Sequence, residues 1–273
     1  MKLSLSVRVA ESFENKEKSS LTIEEIVAMA KRHGFPALCM RASQVGVHSP
    51  KEKAAGTASA IGNAGLRVSM ITGDFAVPKN DDQGPMCLRG IGPYLDLAET
   101  FGADLIRVCI KKEEDIEWAR KASKEAAKRR IRLAHQSHTS SMFETVEGSL
   151  RVLKAIGQPN FGLIYEPANW MIAGEAYGSA AIRKLRPHIF NVYVQNHAIR
   201  PEGKAEQATW KRGIVKIDHI GLWEKGGVDS ADLFGALRET GYEGYVTVHQ
   251  SFHGVMPVED AVAKSAAWLR PLL

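Results

Sequence analysis

The chain has 273 residues, of which 44% are hydrophobic and 25% are charged, and its formal net charge at pH 7 is +5. This composition excludes a disordered chain, and the basic residues alternate with acids in segments such as EEDIEWARKASKEAAKRR, which argues against a nucleic-acid-binding protein. No apolar run reaches the roughly 18–20 residues that a bilayer-spanning helix needs, and no hydrophobic signal core is present, so the sequence predicts a cytoplasmic protein without a membrane partner.

Short apolar runs with strand-like composition recur along the whole chain. In chain order they are KLSLSVRV, PALCMRA, LRVSMITGD, ADLIRVCIK, IRLAHQ, FGLIYE, IFNVYVQ and GYVTVHQ. Most of these runs are too apolar for a sheet that exposes one face to water. They predict eight buried strands of a parallel sheet.

Segments with apolar residues at helical spacing, such as Ile116 and Ala119, separate these strands. Thr22 and Glu25 stand at capping-box spacing, and Ser49 precedes a proline at a predicted first helical position. Several segments end in a glycine that a strand follows, namely KRHGF, GNAGL, TFGAD, KAIGQP and RETGYEG. Each segment is therefore predicted to be a crossover helix.

This alternation predicts an α/β fold, a single (β/α)8 TIM barrel over residues 1–273. A doubly wound open sheet is the alternative, but no glycine-rich dinucleotide or phosphate-binding fingerprint follows any strand. The longest irregular stretches cover about 75–86 and 198–223. Both follow strands, where long loops often contribute to function.

Polar residues that finish a strand are the candidate site residues, because the active site of such a barrel lies at the carboxyl ends of its strands. The early strands offer Arg8, Arg41 and Asp74. The later strands finish in HQSH, EPANW, YVQNH and HQSF. Their candidates are His135, Gln136, His138, Glu166, Asn169, Trp170, Tyr193, Gln195, His197, His249 and Gln250.

Strand alternation leaves two of these assignments open. Neighbouring side chains point to opposite faces of a strand, so either His135 or Gln136 faces the barrel axis, with His138 on the side of Gln136. The same choice applies to His249 and Gln250.

Three further candidates each have two interpretations. Arg8 and Arg41 can clamp a phosphate or carboxylate, or can pair with an acid in the barrel mouth. Trp170 can form an apolar wall for a sugar ring, or can pack its own loop.

The strand ends resemble those of the sugar phosphate isomerase/epimerase family, the xylose isomerase-like TIM barrels, over essentially the whole chain. In that family strand five ends in Glu-Asn-His, strand six in Asp-Pro-Gly-Asn, strand seven in a His-containing run, and strand eight in Glu followed by an aromatic residue or His. The corresponding stretches here are QSH at 136–138, EPAN at 166–169, YVQNH at 193–197 and HQSF at 249–252. The resemblance implies a small carbohydrate substrate and a homodimer or homotetramer.

The resemblance also implies a divalent metal ion, manganese, magnesium, cobalt or zinc, held by one residue from each of the last four strands. The implied ligands are Gln136, Glu166, Gln195 and Gln250. This chain departs from the family, because a glutamine cannot accept a proton near neutral pH and the paired proton-shuttling glutamates are absent. The residues then expected to be catalytic are His138, Glu166 and His249, since imidazoles can supply a base. The residues expected to bind substrate are Arg8, Arg41, His135, Asn169, Trp170, Tyr193 and His197.

The leading hypothesis is a metal-assisted isomerase or epimerase-like enzyme that removes a proton next to the carbonyl of a small sugar, polyol or keto-sugar derivative. One alternative is a lyase on an oxidised sugar, and another is a non-catalytic sugar-binding barrel that has lost its metal. A metal-dependent nuclease of related fold would need further His and acidic ligands on the early strands, which offer mainly Arg8, Arg41 and Asp74.

Overall fold

A computed structural model describes residues 1–12, 16–73 and 83–273. Asp74 and most of the stretch over 75–86 therefore lie outside the described residues. The strands are β1 (Lys2–Ser6), β2 (Ala37–Met40), β3 (Arg67–Thr72), β4 (Leu105–Val108), β5 (Arg132–Gln136), β6 (Phe161–Tyr165), β7 (Ile189–Val194), β8 (His197–Ile199), β9 (Ala205–Thr209), β10 (Gly213–His219) and β11 (Tyr245–Val248).

Strands β1 to β7 and β11 form a closed barrel in which every pair is parallel and β1 closes the ring against β11. Each of the eight predicted apolar runs overlaps one barrel strand, so the predicted (β/α)8 barrel is confirmed. The open-sheet alternative is excluded, because the ring has no edge strand.

Helices surround the barrel. They are α1 (Ile23–Arg32), α2 (Lys51–Asn63), α3 (Met86–Arg89), α4 (Gly92–Phe101), α5 (Glu114–Lys128), α6 (Val146–Ile156), α7 (Pro167–Ala173), α8 (Ser179–Leu185), α9 (Ser230–Glu239) and α10 (Val258–Leu269), with 3₁₀ turns at Val7–Ala10, Arg186–His188 and Arg270–Leu272. Among the helices of the described residues, none has the length and apolar character needed to cross a membrane.

The helix boundaries follow local signals in most cases. Thr22 and Glu25 form the predicted capping box at the start of α1. Pro50 was predicted as the first helical residue after a Ser49 cap, but α2 begins at Lys51 without a side-chain cap, and the Ser49 hydroxyl accepts the Gly46 amide at 3.0 Å instead. Gly102 ends α4 in the left-handed conformation, with φ of 61°, which a residue with a Cβ rarely adopts.

The barrel interior shows which faces of the strands point inward. It is filled by Cys39, Met70, Leu105, Ala134, Ile164 and Tyr193, which come from six different strands. Side chains two positions apart share a strand face, so positions two residues beyond these point into the carboxyl-terminal mouth of the barrel. The polar residues placed there by this rule are Arg41, Thr72, Arg107, Gln136, Glu166 and Gln195.

The stretch over 198–223 differs from the irregular loop that was predicted. It contains most of an antiparallel sheet in the order β8-β10-β9, in which Ile217 pairs with both Ile199 and Ala205. Val215 and Ile217 alternate with polar residues along β10, and they pack with Ile172 of α7 into a small apolar cluster. This packing brings one face of the sheet to the mouth of the barrel.

Candidate active site

A cavity of about 460 Å³ opens at the carboxyl ends of the barrel strands. Its polar lining consists of Arg8, Lys16, Arg41, Arg107, Gln136, His138, Asn169, Gln195, His197, Glu206, Gln207, His219 and His249. A second cleft of about 580 Å³ lies at the opposite end, where Lys2, Arg67 and Tyr245 begin their strands. We place the site in the first cavity, because TIM barrels carry their chemistry at the carboxyl ends of the strands.

Glu166 is the buried carboxylate of this mouth. It follows β6, its exposed fraction is 0%, and its two oxygens accept N–H donors from the side chains of Gln136 and Gln195. Burial raises the pKa of Glu166 to about 8, although the hydrogen bond from Gln136 and the charge of Arg107 act in the opposite direction. A carboxyl group that titrates near neutral pH can exchange a proton with a bound molecule.

Two histidines line other walls of the cavity. His249 stacks on Tyr193 with ring centroids 3.7 Å apart, and its Nδ1 lies 3.0 Å from Ser6 Oγ. His138 holds its Nδ1 2.8 Å from the carbonyl oxygen of Thr139, which can only accept, so Nδ1 carries the proton. Burial lowers the pKa of His138 to about 4 and that of His249 well below its usual value, so both rings are neutral near pH 7.

Arg8 and Arg41 both pair with a buried acid and line the cavity. Glu11 accepts Arg41 Nε at 2.8 Å, Arg8 Nη1 at 3.4 Å and the Ser43 hydroxyl at 2.7 Å. Burial alone would raise the pKa of Glu11, but Arg41 and Arg8 together lower it below its usual value. The pairing with an acid is therefore observed, and the clamping of a phosphate or carboxylate stays a prediction.

Arg107 and Lys16 line the same side of the cavity, although the sequence did not single them out. Arg107 lies in β4 two residues after Leu105, which faces the barrel interior. The alternation of strand faces therefore predicts that Arg107 points inward as well. Lys16 lies between strands, where no periodicity signals it. Burial, together with the charges of nearby arginines, lowers the pKa of Lys16 to about 8.

Paired strands β8 and β10 add two histidines to the cavity lining. His197 pairs with His219 in the antiparallel register, and their Nδ1 atoms lie 3.0 Å apart. Burial lowers the pKa of His197 to about 3 and that of His219 to about 4. His197 lies in the cavity as expected, whereas His219 was missed because its stretch was predicted to be irregular.

The structure settles both open choices of strand face. Gln136 and His249 point into the cavity, and their neighbours His135 and Gln250 do not. His135 stacks on Phe143 outside the barrel wall, with ring centroids 4.2 Å apart. Gln250 accepts the Asn196 amide at 2.8 Å and donates to the Ile220 carbonyl at 2.6 Å, so it orders a loop. The expected roles of His135 in substrate binding and of Gln250 as a metal ligand are corrected by these contacts.

Two aromatic candidates also lie away from the cavity lining. Tyr193 is fully buried beneath His249. Trp170 is fully buried and donates its indole N–H to the Phe143 carbonyl at 2.8 Å, so it packs the loop rather than forming a wall. Asn169 does line the cavity, where its side chain donates to the Ser137 carbonyl at 2.9 Å.

The residues at the implied metal positions do not fit a divalent cation. The side chains of Gln136 and Gln195 direct N–H donors at the two carboxylate oxygens of Glu166. In a metal site, the carboxylate oxygens would contact the cation instead. Arg8, Arg41 and Arg107 line the same cavity, and their charges oppose a second positive charge there. Within the described ranges, no group of three His, Cys, Asp or Glu side chains is arranged to hold a metal ion.

The chain matches the model of a family that is described as "Xylose isomerase-like TIM barrel". Its model covers residues 10–272. No curated protein sequence matches the chain.

Solved structures share the fold at low identity. The probable 3-DHS dehydratase AsbF involved in petrobactin synthesis from Bacillus anthracis is 15% identical, with a TM-score of 0.74 and 98% of each chain covered. D-allulose 3-epimerase from Methylomonas sp. is 15% identical, with a TM-score of 0.70 and coverage of 100% of this chain and 98% of that one. A barrel from Mycobacterium smegmatis in complex with magnesium is 14% identical, with a TM-score of 0.70 and coverage of 99% and 96%. At these identities the likeness concerns the fold alone.

Proposed function

The chain belongs to the xylose isomerase-like TIM barrel family, and from that premise we propose that it is an enzyme that moves a proton at the carbon next to the carbonyl of a small sugar derivative. Glu166 is the group that accepts this proton. Isomerisation, epimerisation and the elimination catalysed by a lyase all pass through this step, so the proposal covers these three reaction types.

The observation that carries the proposal is the state of Glu166. Its pKa is raised to about 8 by burial, and it stands where the side chains of Gln136 and Gln195 border the cavity. A base works best when its pKa lies near the working pH. The two amides hold both carboxylate oxygens in place, which fixes the direction in which the carboxylate meets a C–H bond.

The histidines supply the second proton-transfer group. Ser6 Oγ accepts the Arg8 backbone N–H at 3.2 Å and lies 3.0 Å from Nδ1 of His249, and if the Ser6 hydroxyl donates to that nitrogen, Nε2 of the ring carries the proton. A protonated Nε2 can donate to a substrate oxygen that gains charge. His138 has the opposite tautomer, with Nε2 as an acceptor, so it can receive the proton of a substrate hydroxyl.

Deuterium exchange tests the shared step without choosing the final product. The protein is incubated in D₂O with ketoses, aldoses, keto-sugar acids and sugar phosphates, and NMR follows the C–H next to each carbonyl. We expect deuterium to enter at that carbon in at least one compound. If none exchanges while calorimetry shows that one of them binds, the chain is a sugar-binding barrel without this activity.

We expect this exchange to continue without a divalent metal ion. Dialysis against EDTA should leave the exchange rate and the melting temperature unchanged, because both carboxylate oxygens of Glu166 already accept hydrogen bonds from glutamine amides. A metal that binds the folded state stabilises it by RT ln(1 + [L]/Kd), so added manganese, magnesium, cobalt or zinc should leave the melting temperature unchanged. Loss of exchange on chelation, with recovery when one metal is added back, would overturn this expectation.

A further inference from the structure

We infer that Lys16 is a catalytic residue whose amine forms a covalent imine with the carbonyl carbon of the substrate. The imine makes the C–H bond next to that carbon acidic, and Glu166 takes the proton. The role of Glu166 rests on the proposed function. The reactive amine itself is argued from the position of Lys16 in the cavity, its lack of a partner and its burial.

Lys16 borders the cavity in which the proton-transfer groups lie. It belongs to the segment between β1 and α1, and its side chain lines the same cavity as those of His138 and His249. Burial is the main cause of the low pKa of both rings, and the charge of Lys16 lowers each pKa further. Charges act in this way only over short distances, because salt screens them within about 10 Å. The amine therefore lies near the groups that move protons.

The amine of Lys16 has no partner among the described residues. It takes part in no hydrogen bond and no ion pair there, whereas Arg8 and Arg41, which line the same cavity, both pair with Glu11. A half-buried amine without a partner is unusual, because polar groups that lose contact with water normally form hydrogen bonds. The amine is therefore available to a molecule that enters the cavity.

The surroundings of Lys16 favour the neutral amine, which is the form that attacks a carbonyl group. Burial lowers the pKa of Lys16 to about 8, and the charges of nearby arginines act in the same direction. At pH 7 about one Lys16 side chain in ten is then neutral, compared with about one in three thousand for a lysine with the usual pKa of 10.5. Burial and a neighbouring cation both activate a lysine nucleophile.

Formation of the imine needs neither an oxidant nor a reductant. The neutral Nζ of Lys16 forms a bond to the carbonyl carbon, and the electron pair of the C=O π bond moves to the oxygen. The C–O bond then breaks, and the oxygen leaves as water with the two protons of the amine. The imine nitrogen binds one proton from water and becomes positively charged.

The protonated imine performs the task that a Lewis acid performs at a carbonyl group. It draws the electrons of the neighbouring C–H bond toward nitrogen, so Glu166 removes that proton and an enamine forms. Return of a proton to carbon and addition of water then release Lys16. This step needs a free aldehyde or ketone. The substrate is therefore an open-chain aldose, ketose or keto-sugar acid, and a sugar acid without a keto group cannot react.

Reductive trapping tests the amine without turnover. The protein is incubated at about pH 7 with dihydroxyacetone or D-glyceraldehyde and with sodium cyanoborohydride, which reduces an imine to a stable amine. Peptide mass spectrometry measures the modification of each lysine. We expect Lys16 to be modified at least about tenfold faster than Lys18, an exposed lysine of the same segment. Equal rates at the two lysines would overturn the inference.

Two variants separate imine formation from the charge of Lys16. Lys16→Arg keeps a positive charge but cannot form an imine, and Lys16→Met has neither property. Both should slow deuterium exchange at least about 100-fold, whereas Lys18→Met should leave it unchanged. Thermal unfolding checks that each variant folds, and Lys16→Arg, which preserves the charge, keeps the test valid if Lys16→Met does not fold.

The two proposals fail separately. Modification of Lys16 without deuterium exchange in any compound would retain the imine-forming amine and reject the proposed reaction. Deuterium exchange that persists at the wild-type rate in Lys16→Arg would retain the reaction at Glu166 and reject the imine.

Discussion

Replacing Glu166 with glutamine is expected to slow deuterium exchange by about 10²–10⁴-fold, the range that a positioned acid or base contributes. The variant keeps the size of the side chain, and its amide oxygen can still accept hydrogen bonds from Gln136 or Gln195. The fold should therefore survive while the proton acceptor is lost. Exchange at the wild-type rate in Glu166→Gln would remove Glu166 from the reaction.

The pH profile of the wild-type protein provides a second readout. Because a base acts when it is deprotonated, the rate should rise with pH and level off above the pKa of about 8 to which burial raises Glu166. The histidines of the cavity have pKa values well below this range, so they do not produce that rise. A rate that is already constant from about pH 6 upward would assign the step to a different group.

Stability gives a readout that needs no substrate. The folded-state pKa of Glu166, about 8, lies above its ordinary value of 4.5, so the folded protein favours the protonated form and loses stability as pH rises between these values. Glu166→Gln removes that loss. We expect the variant to melt roughly 5 °C above the wild type at about pH 9, and close to it at about pH 5. Glu259→Gln, which alters an exposed carboxylate on α10, is the matched control.

The barrel could be predicted from the sequence because its signals are local. A strand buried on both faces must be apolar throughout, and a helix that ends in a left-handed residue favours glycine there, as at Gly102 and Gly157. The β8–β10 sheet escaped prediction although Val215 and Ile217 alternate with polar residues. Its strands pair with one another above the barrel, and nothing in their composition separates them from a long loop.

The sequence alone could not predict which strand face each site residue occupies. His135 and Gln136 are both polar and both buried, so composition does not distinguish the residue at the cavity from the residue packed against Phe143. The same is true of His249 and Gln250. Only the register of the closed barrel, fixed by inward residues such as Ala134 and Tyr193, decides between them.

The family resemblance implies both a position for the site and a chemistry at that position. It pointed to the strand ends where Gln136, Glu166 and Gln195 meet. At these positions, however, the amides bind the carboxylate, and Arg8, Arg41 and Arg107 line the same cavity. Position is set by the fold, whereas the chemistry of a position depends on the side chain that occupies it.

Removing the charge of Glu11 is expected to produce the largest loss of stability among these substitutions. Glu11→Leu leaves Arg8 and Arg41 buried without the carboxylate that they share, and breaking a buried ion pair from one side costs about 3–5 kcal/mol. Urea unfolding of the wild type and the variant measures this difference. Glu259→Gln, whose carboxylate pairs at the surface, should cost about 1 kcal/mol or less.

A double variant separates the charge effect from the loss of packing. If the cost of Glu11→Leu comes from the lost ion pairs, then adding Arg41→Met should recover part of it, because one of the two arginines that lose this carboxylate is removed as well. Lowering the pH should destabilise the protein, as Glu11→Leu does. The pKa of Glu11 is lowered by Arg41 and Arg8 against the effect of burial, so its contribution to stability is present above its ordinary value of 4.5 and is lost as pH falls through its folded-state pKa. If Glu11→Leu and Arg41→Met instead destabilise the protein additively, the two side chains act independently, and the Glu11 carboxylate does not hold Arg41 in place.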